Sequence, residues 1–259
     1  MTINVLAIGD VAGKVGLSFL CEKLRGIIKL YDISFTVVNA ENTAGLGVKP
    51  EHVQSLIEAG ADAITLGNHT WGDRKIRDYL AVSPQVLRPA NFAPQVPGRG
   101  FDIFETPFGD ICVINLIGRN DMPNSYVYDN PFFEVDKILQ EIKTKMILVD
   151  FHAEATSEKL AMAYHLDKRV SVLWGTHTHV QTSDGRVFLG GMGYITDLGM
   201  TGAVESVIGM NAEQSLSRFL GNPPERFENA EGIGKIEGAA FEIDPMSGKC
   251  VSVETLRII

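Results

Sequence analysis

The order of apolar runs and helix-period segments constrains this chain more than any other feature. Ile3–Ile8 reads as a buried strand and Gly16–Leu30 as an amphipathic helix. Phe35–Asn39 is a second strand, Pro50–Ala59 a helix with proline in its first turn, and Ala63–Leu66 a third short strand. A βαβαβ order of this kind argues for a parallel sheet covered by helices. Near residue 100 the pattern changes. Phe101–Thr106 and Ile111–Leu116 flank Pro107-Phe108-Gly109-Asp110, which reads as a hairpin and hence as antiparallel pairing. Asn130-Pro131 opens a helix running to about Lys143, Met146–Asp150 is another buried strand, Ser157–Leu166 a helix and Val170–Trp174 a strand. Ile233–Ile243 and Lys249–Ile258, joined by Asp244-Pro245-Met246-Ser247-Gly248, read as a closing hairpin. The least regular stretches are Ile117–Asn130 and Gly190–Met210, and long loops in a compact domain are often functional.

In open α/β sheets, ligands bind beyond the carboxyl ends of the strands. The residues just past each apolar run are therefore informative. The first run ends in Gly9-Asp10, the second in Asn39-Ala40-Glu41-Asn42, the third in Gly67-Asn68-His69. Met146–Asp150 leads to Phe151-His152, and Val170–Trp174 leads to Gly175-Thr176-His177-Thr178-His179. Taken singly, Asp10, Asn42 and Asn68 are residues that favour turns and caps, Glu41 is a solvated loop charge, and His152 is a satisfied core histidine. Five strand ends in register, each delivering an Asp, Glu, Asn or His, are harder to read that way. His177 and His179, two apart on an extended segment, should face the same side. Of the six histidines, four lie at these strand ends; His52 and His165 fall within helices and read as structural. Carboxylate, amide and imidazole together, without thiolate, suit Mn, Fe or Zn.

Composition narrows the partners. The 259 residues carry a formal net charge of −9 without a Lys/Arg cluster, a poor basis for gripping long nucleic acid by its phosphates. Bound divalent cations can reverse the sign of a local site, so a small anionic substrate stays open. No run approaches the roughly 18 apolar residues of a membrane span, and Met1–Ile8 lacks a basic flank and a cleavage site, so a cytoplasmic protein is expected. Cys21, Cys112 and Cys250 are far apart and odd in number, which reads as three reduced thiols. The length suits one large domain, taken here as residues 1–259.

The order Gly-Asp, an acid after the second strand, Gly-Asn-His, a lone His and Gly-x-His-x-His resembles the calcineurin-like metallophosphoesterase superfamily, over residues 9 to 179. Two positions depart from the usual pattern: Ala12 stands where a His is common, and Glu41 where the bridging acid is commonly Asp. Both departures, with Ala40-Glu41-Asn42 and Arg88-Pro89-Ala90-Asn91, resemble the YmdB branch of bacterial phosphodiesterases, a likeness that extends over nearly the whole chain. The resemblance implies an α/β layered sandwich with central mixed β-sheets flanked by helices. It implies two divalent metal ions, Fe or Mn first and Zn as a further candidate. Glu41 would bridge them, Asp10, Asn42 and His179 would complete one site, and Asn68, His152 and His177 the other. Asn42 would stand in for the histidine missing at position 12. His69 would protonate the leaving group while a hydroxide bridging the metals attacks phosphorus in line. The substrate it implies is a small phosphodiester, a 2′,3′-cyclic nucleotide before others, with the base towards Ile117–Asn130. Tyr126 and Tyr128 in that loop could stack a base or simply pack.

Other readings are weaker or remain open. Gly9–Val15 looks superficially like a P-loop but fails on spacing, and Val15 replaces the Ser/Thr that would hold Mg²⁺. A His-x-His pair also occurs in metallo-β-lactamases, which want an Asp soon after the second His, and in amidohydrolases, which carry the pair on the first strand; neither fits. A phosphomonoesterase or protein phosphatase on the same metals, and a regulatory protein whose metal site serves binding only, both stay open. So do the natural substrate, the metal and the oligomeric state, a homo-oligomer included.

Overall fold

The computed structural model describes residues 1–123, 128–223 and 226–259. Its elements run β1 (Ile3–Ile8), β2 (Asp10–Val11), α1 (Gly13–Leu30), β3 (Ile33–Asn39), α2 (Pro50–Ala59), β4 (Ala63–Thr65), α3 (Ile76–Val82) and β5 (Val86–Leu87). They continue with β6 (Phe101–Phe104), β7 (Ile111–Ile117), α4 (Pro131–Glu141), β8 (Met146–His152), α5 (Thr156–Leu166) and β9 (Val172–Thr176). The last are β10 (Arg186–Val187), β11 (Gly193–Ile195), β12 (Met200–Ala203), α6 (Ala212–Phe219), β13 (Gly234–Asp244) and β14 (Lys249–Ile258).

Among the described residues the strands form two sheets. One has eight strands in the order β2-β12-β13-β1-β3-β4-β5, with β14 also on β13; the other has six, β10-β11-β9-β8-β7-β6. Both are mixed. β1, β3, β4 and β5 pair in parallel, while β13 runs antiparallel to β1 and β14. In the second sheet β7, β8 and β9 are parallel, and β6 joins β7 as the expected hairpin.

Of the four apolar clusters among the described residues, three hold the layers together. The central one packs Val5, Ala7 and Val37 of the first sheet against Val113, Leu148, Val172 and Trp174 of the second. Outside the first sheet, Leu20, Leu24 and Ile27 of α1 and Val53 and Leu56 of α2 cover Leu6, Ile8, Val38 and Ile64. The i, i+4, i+7 spacing on α1 is that of a helix with one buried face. Outside the second sheet, Val135 and Ile138 of α4 and Met162, Ala163 and Leu166 of α5 cover Ile114, Val149 and Phe151. The architecture is therefore helix, sheet, sheet, helix, the layered α/β sandwich expected. Alternate residues of β3 and β8 serve opposite faces; β8 is buried throughout and β3 from Phe35 to Asn39, so both read as mainly apolar runs.

Parallel register assembles the site. It sets Asn39 beside Thr65 in the first sheet, and His152 beside Thr176 in the second. The carboxyl ends of β3, β4, β8 and β9 thus converge where the two sheets meet. No helix of the described residues is long and apolar enough to cross a membrane.

Candidate metal centre

Asp10 follows β1 after Gly9, whose Cβ, if it had one, would lie 2.2 Å from the carbonyl oxygen of Gly199. Only glycine lets the chain pass there, and Asp10 is carried into the interior with no exposed surface. Glu41, one residue past Ala40 at the end of β3, is equally buried. Gly67, after β4, packs so closely that an added Cβ would stand 2.2 Å from Glu41 Oε2 and 2.3 Å from His152 Nε2. It clears the space in which Asn68 and His69 reach the cluster.

His152 is the hub. Its Nε2 lies 2.9 Å from Asn68 Oδ1, 3.2 Å from Glu41 Oε1 and 3.0 Å from His177 Nδ1. Ligand-type atoms of Glu41, His152 and His177 all fall within 4.8 Å of one another. On the other side of Glu41, Oε1 meets Asn42 Nδ2 at 3.1 Å, and that nitrogen meets His179 Nε2 at 3.1 Å. Asp10 reaches His152 Nδ1 at 3.8 Å and His179 Nε2 at 3.9 Å, and its Oδ2 accepts from the His177 amide at 3.0 Å. All seven residues expected from the sequence thus come together, and His69 joins them through Nδ1, 2.9 Å from Asn42 Oδ1 and 3.3 Å from Glu41 Oε1.

The His177/His179 geometry is a correction. The expected extended segment ends at Thr176, and both histidines are left-handed, with φ of 102° and 64°. They meet the cluster because the backbone turns, not because a strand alternates. Non-glycine residues held there cost roughly 1–3 kcal/mol each, and such strain gathers at functional sites. Asn42 also differs. Its amide nitrogen, not its oxygen, faces Glu41 and His179. Coordination through Oδ1 requires the amide to turn through 180°, which would bring Nδ2 to His69.

The donor set fits a cation. Asp10 Oδ1 is buried with no hydrogen-bond partner, a costly state for a carboxylate oxygen unless positive charge faces it. Each imidazole turns one nitrogen to the cluster and has an acceptor on the other: Thr176 Oγ1 for His152 (2.9 Å), Glu154 Oε2 for His177 (3.1 Å) and the Ile208 carbonyl for His179 (2.8 Å). Outer acceptors of this kind fix tautomer and ring orientation in metal sites. The charges agree. Burial raises the Asp10 carboxyl to about 6 against the pull of His179 and His152. Burial would also raise Glu41, but the charge of His152 and hydrogen bonds from His152 and His69 hold it well below the usual carboxylate range. His152 overcomes its burial beside Glu41 and Asp10 and reaches about 9. His177, buried and beside His152, falls to about 3.

Thr176, Asp150, Glu154 and Asn91 also belong to the site, although the pattern of strand ends does not pick them out. Asp150 carries a signal: an acid two residues ahead of His152 on an apolar strand shares its face. Asn91 gives the Arg88–Asn91 motif a structural role. Its side chain donates to the carbonyls of Ile117 and Asp129 and accepts from the Ile117 amide, pinning both ends of the loop beside the site. At the loop's start the Gly118 amide donates to the His152 carbonyl. Tyr128 stacks on Phe92 at 5.5 Å between centroids, and Phe92 in turn meets Trp71 at 5.9 Å, so Tyr128 packs against the protein. Tyr126 lies outside the described residues.

Known proteins carry the same arrangement of chain. A curated 2′,3′-cyclic-nucleotide 2′-phosphodiesterase of Bacillus subtilis is 42% identical over 259 residues, spanning 99% of this chain and 97% of that protein. A putative phosphatase/phosphodiesterase of Mycoplasma pneumoniae is 36% identical, spanning 100% of this chain and 94% of its own. Among solved structures, that of a novel phosphatase from Mycoplasma pneumoniae superposes with a TM-score of 0.94 at 35% identity, over 100% of this chain and 94% of that one. A hypothetical protein from Thermus thermophilus gives 0.91 at 36% identity, with 99% of each chain covered. The family model for YmdB-like proteins matches residues 6–256, a span that takes in every side chain of the cluster, and the chain belongs to that family.

Proposed function

We propose that residues 1–259 act as one metal-dependent phosphodiesterase domain that hydrolyses small phosphodiesters, 2′,3′-cyclic nucleotides before others. The observation that carries this reading is the convergence of Glu41, His152 and His177 within 4.8 Å, beside a fully buried Asp10 oxygen that accepts no hydrogen bond from the described residues. The 2′,3′-cyclic-nucleotide 2′-phosphodiesterase of Bacillus subtilis, 42% identical to this chain, points the same way. Asn68, His152 and His177 would hold one divalent cation, Asp10, Asn42 and His179 the other, with Glu41 shared between them; the oxygen and imidazole donors suit Fe or Mn and accept Zn. Such a pair clamps phosphate oxygens and makes water nucleophilic near neutral pH.

The chain's own residues supply the rest. His69 stands at the open side of the cluster, its side chain 32% exposed. Its backbone amide donates to Glu41 Oε2 at 3.1 Å and its Nδ1 is held by Asn42, leaving Nε2 without a partner among the described residues. Water adds to phosphorus and releases one proton to solvent, the bond from phosphorus to one ribose oxygen breaks, and the proton on Nε2 of the imidazolium form of His69 passes to that oxygen. A 2′,3′-cyclic phosphate is compact, singly charged and strained, and its base would lie towards the loop after Ile117. The net charge of −9 disfavours a long polyanion away from the cations.

The test is kcat/KM for 2′,3′-cyclic AMP, 3′,5′-cyclic AMP, a dinucleotide and a 5′-monophosphate under one Mn²⁺ condition, with a chelated control. The cyclic 2′,3′ ester should lead and the monophosphate trail, with all turnover lost on chelation. Fastest turnover of the monophosphate would make the protein a phosphatase on this scaffold.

A further inference from the structure

We propose that Asp150, Thr176 and Asn39 are positioning residues: a buried hydrogen-bonded node that forces His152 to present Nε2 to the metal and at the same time fixes the backbone of Glu41. The proposal rests on the metal-site reading above and adds residues that take no part in the ligand set. It follows from counting donors and acceptors. Thr176 has one O–H and two lone pairs. Three partners surround its oxygen: Asp150 Oδ1 at 2.8 Å, Asn39 Nδ2 at 3.3 Å and His152 Nδ1 at 2.9 Å. The Thr176 O–H donates to Asp150 Oδ1, as Thr65 and Asn39 donate to Asp150 Oδ2. Asn39 Nδ2 only donates and takes one lone pair. One lone pair remains for His152, whose Nδ1 must therefore carry the hydrogen. In the neutral ring that a metal requires, the lone pair is then on Nε2, the atom that faces Glu41, Asn68 and His177.

Asp150 is kept in place from the other sheet. Its Oδ2 accepts from Thr65 Oγ1 at 2.5 Å and from Asn39 Nδ2 at 3.3 Å. Asn39 Oδ1 in turn accepts the Glu41 amide at 3.2 Å. The node therefore joins β3 and β4 to β8 and β9, and it reaches a ligand on each side. All four side chains, of Asn39, Thr65, Asp150 and Thr176, are buried to within 1% exposure, so water cannot substitute for a lost partner.

Two kinds of variant probe the node. Thr176→Val keeps the shape and deletes the acceptor; Thr176→Ser restores it. Asp150→Asn supplies a donor to Thr176 and frees its O–H to point at Nδ1, which favours the opposite tautomer. Affinity for Mn²⁺, read by competition with a fluorescent chelator, should fall about 10–100-fold in Thr176→Val and in Asp150→Asn, and return to within a few-fold of wild type in Thr176→Ser. The long-range ¹H–¹⁵N spectrum of Zn²⁺-loaded wild-type protein should show His152 protonated at Nδ1. Wild-type Mn²⁺ affinity in Thr176→Val overturns the proposal. So does a His152 ring protonated at Nε2, a result that needs no variant to fold. Wild-type protein that binds Mn²⁺ with this tautomer yet hydrolyses no diester overturns the phosphodiesterase reading alone.

Discussion

Asn42 and His69 are joined by a 2.9 Å hydrogen bond, the amide Oδ1 accepting from the ring Nδ1, although they sit on loops that follow different strands. A proposed ligand and a proposed acid thus hold each other. Asn42 Nδ2 also stands 3.1 Å from His179 Nε2. Asn42→Ala should lower metal stoichiometry from about two towards one. It should also release His69, so that activity falls further than the lost cation explains. Elemental analysis of dialysed protein reads the first effect. Unchanged stoichiometry and rate would make Asn42 a turn residue.

His69 should matter in proportion to the poverty of the leaving group. A ribose alkoxide needs a proton as it departs; a nitrophenolate departs without one. His69→Ala should therefore slow a ribose ester by roughly 10²–10⁴-fold and a nitrophenyl ester much less. Paired kcat measurements on the two esters decide it. Equal losses would assign His69 to holding Glu41 and Asn42 in place.

Glu41→Gln and His177→Ala should abolish hydrolysis while leaving the circular dichroism spectrum near that of wild type. The proposed ligands are spread over five strand ends of a scaffold whose apolar clusters do not include them. That differs from a zinc finger, whose folding energy is its metal. Full activity in Glu41→Gln would remove Glu41 from the shared position.

The long elements, and the gathering of the candidate residues just past strand ends, are legible in the sequence because both depend on local chemistry. Strands buried on both faces show as continuous apolar runs, and the residues just past them are set by where those runs stop. The features that escape depend on partners far away in sequence. β2, β5 and β10 are two-residue strands that exist only because β12, β4 and β11 lie beside them. α6 buries only Ser215, so its pattern points to no core. The turn at His177 and His179 escapes because nothing local marks Thr176 as the last extended residue. Thr176 itself escapes because its role is to serve His152, 24 residues away.

The cysteines give a pH prediction independent of the site. Burial pushes the Cys112 and Cys250 thiols up to about 12, and it moves Cys21, only half buried, in the same direction. An unfolded thiol ionises near 8.5, so above about that pH the unfolded chain releases protons that the folded chain keeps. Stability contributed by these thiols is thus whole below about 8.5 and declines as pH rises towards 12. Alkylation at about pH 8 should modify Cys21 first and reach Cys112 and Cys250 only on unfolding, as read by mass spectrometry. Equal labelling of all three in folded protein would contradict their burial.

Gly67 offers the most local test of the cluster. A methyl group there would stand 2.2 Å from Glu41 Oε2 and 2.3 Å from His152 Nε2, far inside contact distance. Neither neighbour has room to retreat: Glu41 and His152 are fully buried, and His152 is tied to Thr176. Overpacking of this kind costs roughly 1–3 kcal/mol, which a chain with several apolar clusters can absorb. Gly67→Ala should therefore fold, with a lowered melting temperature, but lose metal, because the methyl occupies the space between the shared carboxylate and the hub imidazole. Gly26 is the control. It lies exposed on α1 with nothing within 4 Å of an added Cβ, so Gly26→Ala should stabilise the helix by about 0.5–1 kcal/mol and leave metal content unchanged. Thermal melts and metal analysis on the two variants side by side separate a packing effect from a site effect. Full metal content in Gly67→Ala would mean that Glu41 and His152 do not hold the positions described.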